Sequence, residues 1–130
     1  MKKIAKFEKV SYENFEAAFS AEFGTITDIH TIYANIKLPK RATMGSAGYD
    51  FFTPCDITLA PSETVKIPTG VRAWIENGWV LKLYPRSGLG FKFRLQLNNS
   101  WYYSIYLFVC QYFFEKNLKN IHPWTILGVY

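Results

Sequence analysis

The sequence is poor in residues that build metal and redox centres. It has two cysteines, Cys55 and Cys110, and two histidines, His30 and His122, and these form no ligand cluster in sequence. There is no CxxC pair, which argues against dithiol redox or zinc-ribbon chemistry. Two distant thiols without a secretory leader suggest a reducing, cytoplasmic setting and free buried cysteines. The opening Met1-Lys2-Lys3-Ile4-Ala5-Lys6 has no long apolar core behind its charges, unlike a signal peptide. No GxxxxGK[ST] loop is present, which argues against a P-loop fold. Aspartate is absent after Asp56. The formal net charge of +5 is spread out, with no Lys/Arg block, so no nucleic-acid partner is expected.

The 130 residues fit one domain. An aromatic share of 18% with 19% charged residues predicts a folded chain. Lys6 to Val10 reads as a short lead-in. Ser11 is a helix N-cap candidate, followed by Tyr12, Phe15, Ala18, Phe19 and Phe23 at helical spacing and by Gly24 as a stop. This helix is expected to pack its aromatic stripe on the domain. From Thr25 the character turns to β. Ile29 to Leu38 reads as a strand, and His30 within it as a surface or satisfied histidine. Pro39 to Ala47 is a loop, and Tyr49 to Phe52 begins another strand. Asp56–Ala60 and Glu63–Ile67 read as strands split by Pro61-Ser62, followed by Gly70–Ile75. Asn77-Gly78 is the best hairpin signal in the chain. Short strands with frequent turns and no alternating long helices predict an all-β jelly roll or barrel.

The stretch Tyr84-Pro85-Arg86-Ser87-Gly88-Leu89-Gly90 follows the alternating run Trp79-Val80-Leu81-Lys82-Leu83. Proline ends the strand because it has no N–H for the ladder. A fixed cation, a small hydroxyl and two glycines then follow. Exposed backbone N–H groups, one guanidinium and one hydroxyl together suit an anion with several oxygens, above all a polyphosphate. An ordinary glycine-containing turn calls for similar residues. Ser87 is not a nucleophile in this reading, since no histidine is near it and the flanks do not form GxSxG.

Ser46-Ala47-Gly48-Tyr49-Asp50, Ile67-Pro68-Thr69-Gly70-Val71 and Pro85-Arg86-Ser87-Gly88-Leu89-Gly90 occur in that order. Together they resemble the first two motifs, and the strand between them, of the trimeric deoxyuridine triphosphatases (dUTPases). The resemblance runs from about Leu38 to Asn99. It implies an all-β dUTPase-like jelly roll, incomplete at the C-terminus, with an added N-terminal helix. The implied division is 1–24 helical extension, 25–99 β domain and 100–130 aromatic-rich tail. It implies Mg-dependent cleavage of dUTP to dUMP and diphosphate in homotrimers. Asp50 would face the Mg2+ through water, which suits an ion that keeps several waters. Arg86 would order the site, and Ser87 and Gly88 would contact the phosphate chain, with Ser87 donating to the bridging oxygen. Asn99 would meet the uracil edge, or Asn98-Asn99 would be a plain turn. The sibling dCTP deaminases share the fold, but Gly88-Leu89-Gly90 is closer to the dUTPase pattern.

After Asn99 the family pattern continues with Val-Gly-x-Ile-Asp and a nearby tyrosine, which supply the base that activates water and the selector for deoxyribose. Here Ser100-Trp101-Tyr102-Tyr103-Ser104-Ile105-Tyr106 stands instead, and no catalytic residue is assigned. The fourth and fifth motifs also have no match. If Ser100 to Tyr103 is encoded AGT-TGG-TAT-TAT, reading one nucleotide later gives Val-Gly-Ile-Ile. The hypothesis is a dUTPase frameshifted after its second motif, and codons unable to regenerate that tetrapeptide would sink it. The aromatic run from Trp101 to Phe114 is shorter than the ~20 apolar residues that cross a bilayer. A strand that finishes the barrel or an aggregation-prone segment is favoured over a membrane anchor. The competing function is a non-catalytic nucleotide-binding or interaction protein derived from a dUTPase.

Overall fold

The computed structural model describes residues 5–79, 81–97, 106–111, 118–121 and 127–129. Strand β1 (Ala5–Lys9) leads into helix α1 (Tyr12–Phe23) and a short helix α2 (Ile29–Ala34). Strands β2 (Ile57–Leu59), β3 (Thr64–Pro68), β4 (Val71–Ile75) and β5 (Leu83–Pro85) follow a long loop. Helix α3 (Ser87–Phe93), strand β6 (Leu95–Leu97) and strands β7 (Tyr106–Gln111), β8 (Leu118–Ile121) and β9 (Leu127–Val129) complete the order.

The strands form four small antiparallel sheets: β1–β4, β2–β8, β3–β7–β6 and β5–β9. Early strands thus pair with late ones, as the non-local connections of a jelly roll require. Among the described residues the sheets do not close into one barrel. The aromatic tail supplies β7, β8 and β9, so its backbone joins the sheets.

Local chemistry explains helix α1. The Ser11 side chain accepts from the Asn14 N–H at 3.3 Å, and Glu13 lies in the first turn, where a negative charge complements the helix dipole. Gly24 ends the helix at φ +76°, donating its N–H to Ser20 O. Phe15 and Phe19 are 1% and 0% exposed, so α1 drives its aromatic stripe into the core with Phe51, Leu59, Ile67, Val71 and Leu95. Burial of each ring contributes about 2–3 kcal/mol.

Four expectations are corrected. The lead-in to α1 is a strand, with Phe7 opposite Ala73 and Lys9 opposite Val71. Its outer side carries Glu8, whose carboxyl is held below its ordinary range by Lys6 and then Arg72. The expected strand from Ile29 begins instead as helix α2. Ile29, Ile32, Tyr33 and Ile36 also fit a helical period, and partners from elsewhere decide between the two patterns. Lys9 Nζ caps the helix end on the carbonyls of Tyr33 and Ala34 at 3.1 and 2.9 Å. The Tyr33 hydroxyl donates to Val10 O at 2.6 Å, and His30 stacks on Tyr12 with ring centroids 4.0 Å apart. Finally, Asn77-Gly78 does turn the chain, with Gly78 at φ +89°, but β4 pairs with β1 rather than across that turn. The strand expected over Trp79–Leu83 is found as Leu83–Pro85. Among the described residues no helix is long and apolar enough to cross a membrane.

Candidate active site

Two segments carry the residues singled out in the sequence. The first is the loop ending at Asp50. Lys40 and Asp50 form an isolated antiparallel bridge, with Asp50 N–H to Lys40 O at 2.8 Å and Lys40 N–H to Asp50 O at 3.3 Å. The intervening loop is pinned by Thr43 and Ser46, whose hydroxyls lie 2.7 Å apart, and by Arg41 over the Tyr49 ring at 5.3 Å. Tyr49 and Phe51 both pack on Phe7 of β1, with centroids at 5.5 and 5.3 Å. Side chains alternate along extended backbone, so anchoring both neighbours on β1 turns the half-buried Asp50 away from that contact.

The second segment is the start of α3. The strand β5 ends at Pro85, and Arg86 occupies the N-cap position with extended backbone at φ −60°, ψ 140°. Arg86 makes no side-chain cap, so its guanidinium stands exposed at the helix start. Leu89 and Gly90 donate to Arg86 O at 3.0 and 2.9 Å. The N–H groups of Ser87 and Gly88, at the first two helical positions, have no intrahelical acceptor. They lie at the positive end of the helix dipole, in the same stretch as the Ser87 hydroxyl and the exposed Arg86 side chain. Such a group of donors is suited to phosphate oxygens.

The glycines here have a different role from that of turn glycines. Neither Gly88 nor Gly90 has a positive φ, so the backbone does not demand glycine at either position. Among the described residues, a Cβ at Gly88 would meet nothing within 4 Å. Glycine at this position leaves bare backbone facing open space. The left-handed residue of this segment is Arg94, at φ 51°, which closes α3 by donating its N–H to Leu89 O.

The segment after Pro85, read in sequence as an anion-facing stretch or an ordinary glycine turn, is a helix start; Ser87 to Phe93 is long enough for about two helical turns. Among the described residues no hydrogen bond or ion pair joins Asp50 to Arg86, Ser87 or Gly88. Asn99 lies outside the described residues. Among those described, no three His, Cys, Asp or Glu side chains are grouped to hold a metal. A lone carboxylate fits only an ion that keeps most of its waters or takes oxygens from a bound phosphate, as Mg2+ does.

Comparisons with known proteins bear on the family and the fold. A dUTPase family model matches residues 34–114. The deoxyuridine 5'-triphosphate nucleotidohydrolase of Finegoldia magna is 44% identical over 68 residues, covering 51% of this chain and 48% of that protein. The Lactococcus lactis enzyme of the same name is 45% identical over 67 residues, covering 52% and 45%. The chain spans about half the length of the curated relatives it matches. The solved dUTPase of Staphylococcus aureus phage phi11 superposes with a TM-score of 0.65 over 98% of this chain and 88% of that one, at 16% identity. The Staphylococcus bacteriophage 80alpha dUTPase does so with a TM-score of 0.63 over 96% and 86%, at 18% identity. Phage phi11 dUTPase has also been solved with a structural Mg(II) ion, and the 80alpha enzyme with dUpNHpp. At such identities the likeness establishes the dUTPase-like fold. With the family model covering more than half of the sequence, the chain belongs to the dUTPase family.

Proposed function

We propose that the chain binds dUTP and is an impaired dUTP diphosphatase. The observation that carries this is the start of α3, where the exposed Arg86 side chain, the Ser87 hydroxyl and two N–H groups without an intrahelical acceptor follow one another inside the family match. In this reading Arg86 and the α3 donors hold the triphosphate. Ser87 donates to the oxygen that bridges the α- and β-phosphorus, where negative charge grows as that bond breaks. Asp50 orients Mg2+ through water, and the ion, when bound, supplies charge neutralisation to the phosphates. Asn99 pairs with the uracil edge. The reaction consumes one water and gives dUMP and diphosphate.

The impairment follows from residues 100–106, which lack the aspartate that would take a proton from the attacking water. Without that base the attacking water keeps its proton, and the chemical step is slow even though Ser87 steadies the departing oxygen. The same reading puts the protein in the cytoplasm as a homotrimer.

The test is diphosphate release from dUTP with Mg2+, with dCTP and UTP as controls and dUTP affinity measured in parallel. Tight dUTP binding with slow, dUTP-selective turnover is the expected result. Brisk turnover would show that another residue activates the water. Binding without any turnover would favour the non-catalytic nucleotide-binding protein, and absence of nucleotide binding would overturn the proposal.

A further inference from the structure

A groove of about 590 Å³ is lined by the end of α1, Ile26 and Ile32 of the α2 region, and residues of β2, β3 and the turn between them. That volume falls within the ~300–1,000 Å³ typical of ligand clefts. Its wall includes the partly exposed apolar side chains of Phe23, Ile26 and Ile32. Its rim carries the exposed carboxylates of Glu22, Asp56 and Glu63, and among the described residues no Lys, Arg or His lines it.

Two of these carboxylates are fixed in place by the backbone. Glu22 accepts from the Lys66 N–H at 3.2 Å, and Glu63 accepts from the Ala60 N–H at 2.7 Å. A backbone N–H orients a carboxylate but leaves its charge uncompensated. Neither is ion-paired among the described residues. The groove is thus a preoriented acidic rim around an apolar wall, on a chain whose formal net charge is +5.

We infer that this groove docks a short basic amphipathic segment of a partner protein. Its apolar side chains would cover Phe23, Ile26 and Ile32, while Lys or Arg side chains reach Glu22 and Glu63. Charge complementarity selects this occupant. An acidic segment would be repelled at the rim, and the remaining, net-basic surface would repel a basic one. The groove is formed with α1 and α2, apart from the Arg86–Gly88 site, so the inference stands independently of dUTP binding.

The test is fluorescence anisotropy of the full chain with a labelled synthetic peptide of Leu and Lys, with Leu at i, i+3, i+4 and i+7. Saturable binding that weakens with salt is expected, with no binding of the peptide that carries Glu in place of Lys. The double variant Glu22→Gln/Glu63→Gln keeps an acceptor for both backbone N–H groups and is expected to bind at least tenfold more weakly. Cys55 also lines the groove, so saturating peptide should slow its alkylation, resolved from Cys110 by peptide mapping. Failure of the peptide to bind, equal affinity in the double variant, or an unchanged Cys55 rate would each overturn the inference.

Discussion

Glu22 on α1 accepts a hydrogen bond from the backbone N–H of Lys66 on β3, across 44 residues of sequence. The donor belongs to a strand that pairs with β7, and the contact occupies a backbone group that an edge would otherwise present to a foreign strand. Pro68, the last residue of β3, has no N–H to offer. Helix α1 therefore does more than fill the core, because it also covers part of a strand edge.

Replacing Glu22 with alanine should cost about 1 kcal/mol, the usual worth of one such bond. For a domain of this size that lowers the melting temperature by roughly 3–6 °C. Glu22→Gln should retain most of the stability. A melt by circular dichroism separates the two, and equal losses would show that the Lys66 contact contributes nothing.

The α3 start makes a prediction of opposite sign for fold and ligand. Gly88→Ala meets no described neighbour within 4 Å and removes a glycine from a helix, so stability should hold or rise by up to about 1 kcal/mol. Under the proposed function its methyl would stand where a phosphate approaches, so dUTP affinity should fall. Arg86→Ala, at an exposed side chain with no partner among the described residues, should leave the melt unchanged and weaken dUTP by ~10–100-fold, the range for charged hydrogen bonds. Calorimetric titration of both variants reads these effects directly.

Gly70 is the converse case. It sits at φ +69°, and a Cβ there would strike Ile36 Cδ1 and lie 3.0 Å from Phe15 Cδ2. Gly70→Ala combines a left-handed penalty with overpacking, and should destabilise by about 2–4 kcal/mol. Urea titration should show a lower midpoint with an unchanged slope.

Cys55 supplies a pH dependence. Burial, and secondarily the nearby Asp56 charge, push its thiol from an ordinary value of 9.0 up to about 11. Between those values the unfolded chain releases the proton while the folded chain keeps it. Its contribution is therefore complete below pH 9 and is lost as pH rises toward 11. Melts from pH 8 to 11 should fall more steeply for the native chain than for Cys55→Ala. Parallel curves would remove this thiol from the account.

The sequence by itself determined the features that depend on neighbours along the chain. Ser11 caps α1 through an N–H three residues on, and the aromatic spacing of that helix marks its buried face. Pro61-Ser62 separates β2 from β3, with Ser62 at φ 65°, and Pro85 ends β5. Asp50, Arg86, Ser87 and Gly88 are singled out by residue type and order alone, and their roles rest on the proposed function. Tertiary structure decided what depends on distant partners. The six residues of α2 are too few to hold a helix by propensity, and Lys9 and Val10 hold that helix from more than 20 residues away. The pairing of β1 with β4 was hidden because a strand's partner is not written in its own alternation. Likewise, residue order placed Asp50 after a loop, but only packing against Phe7 gave that segment its orientation. Local hydrogen bonds and steric limits act within a few residues and can be read in order; burial joins segments far apart, and its outcome depends on the whole fold.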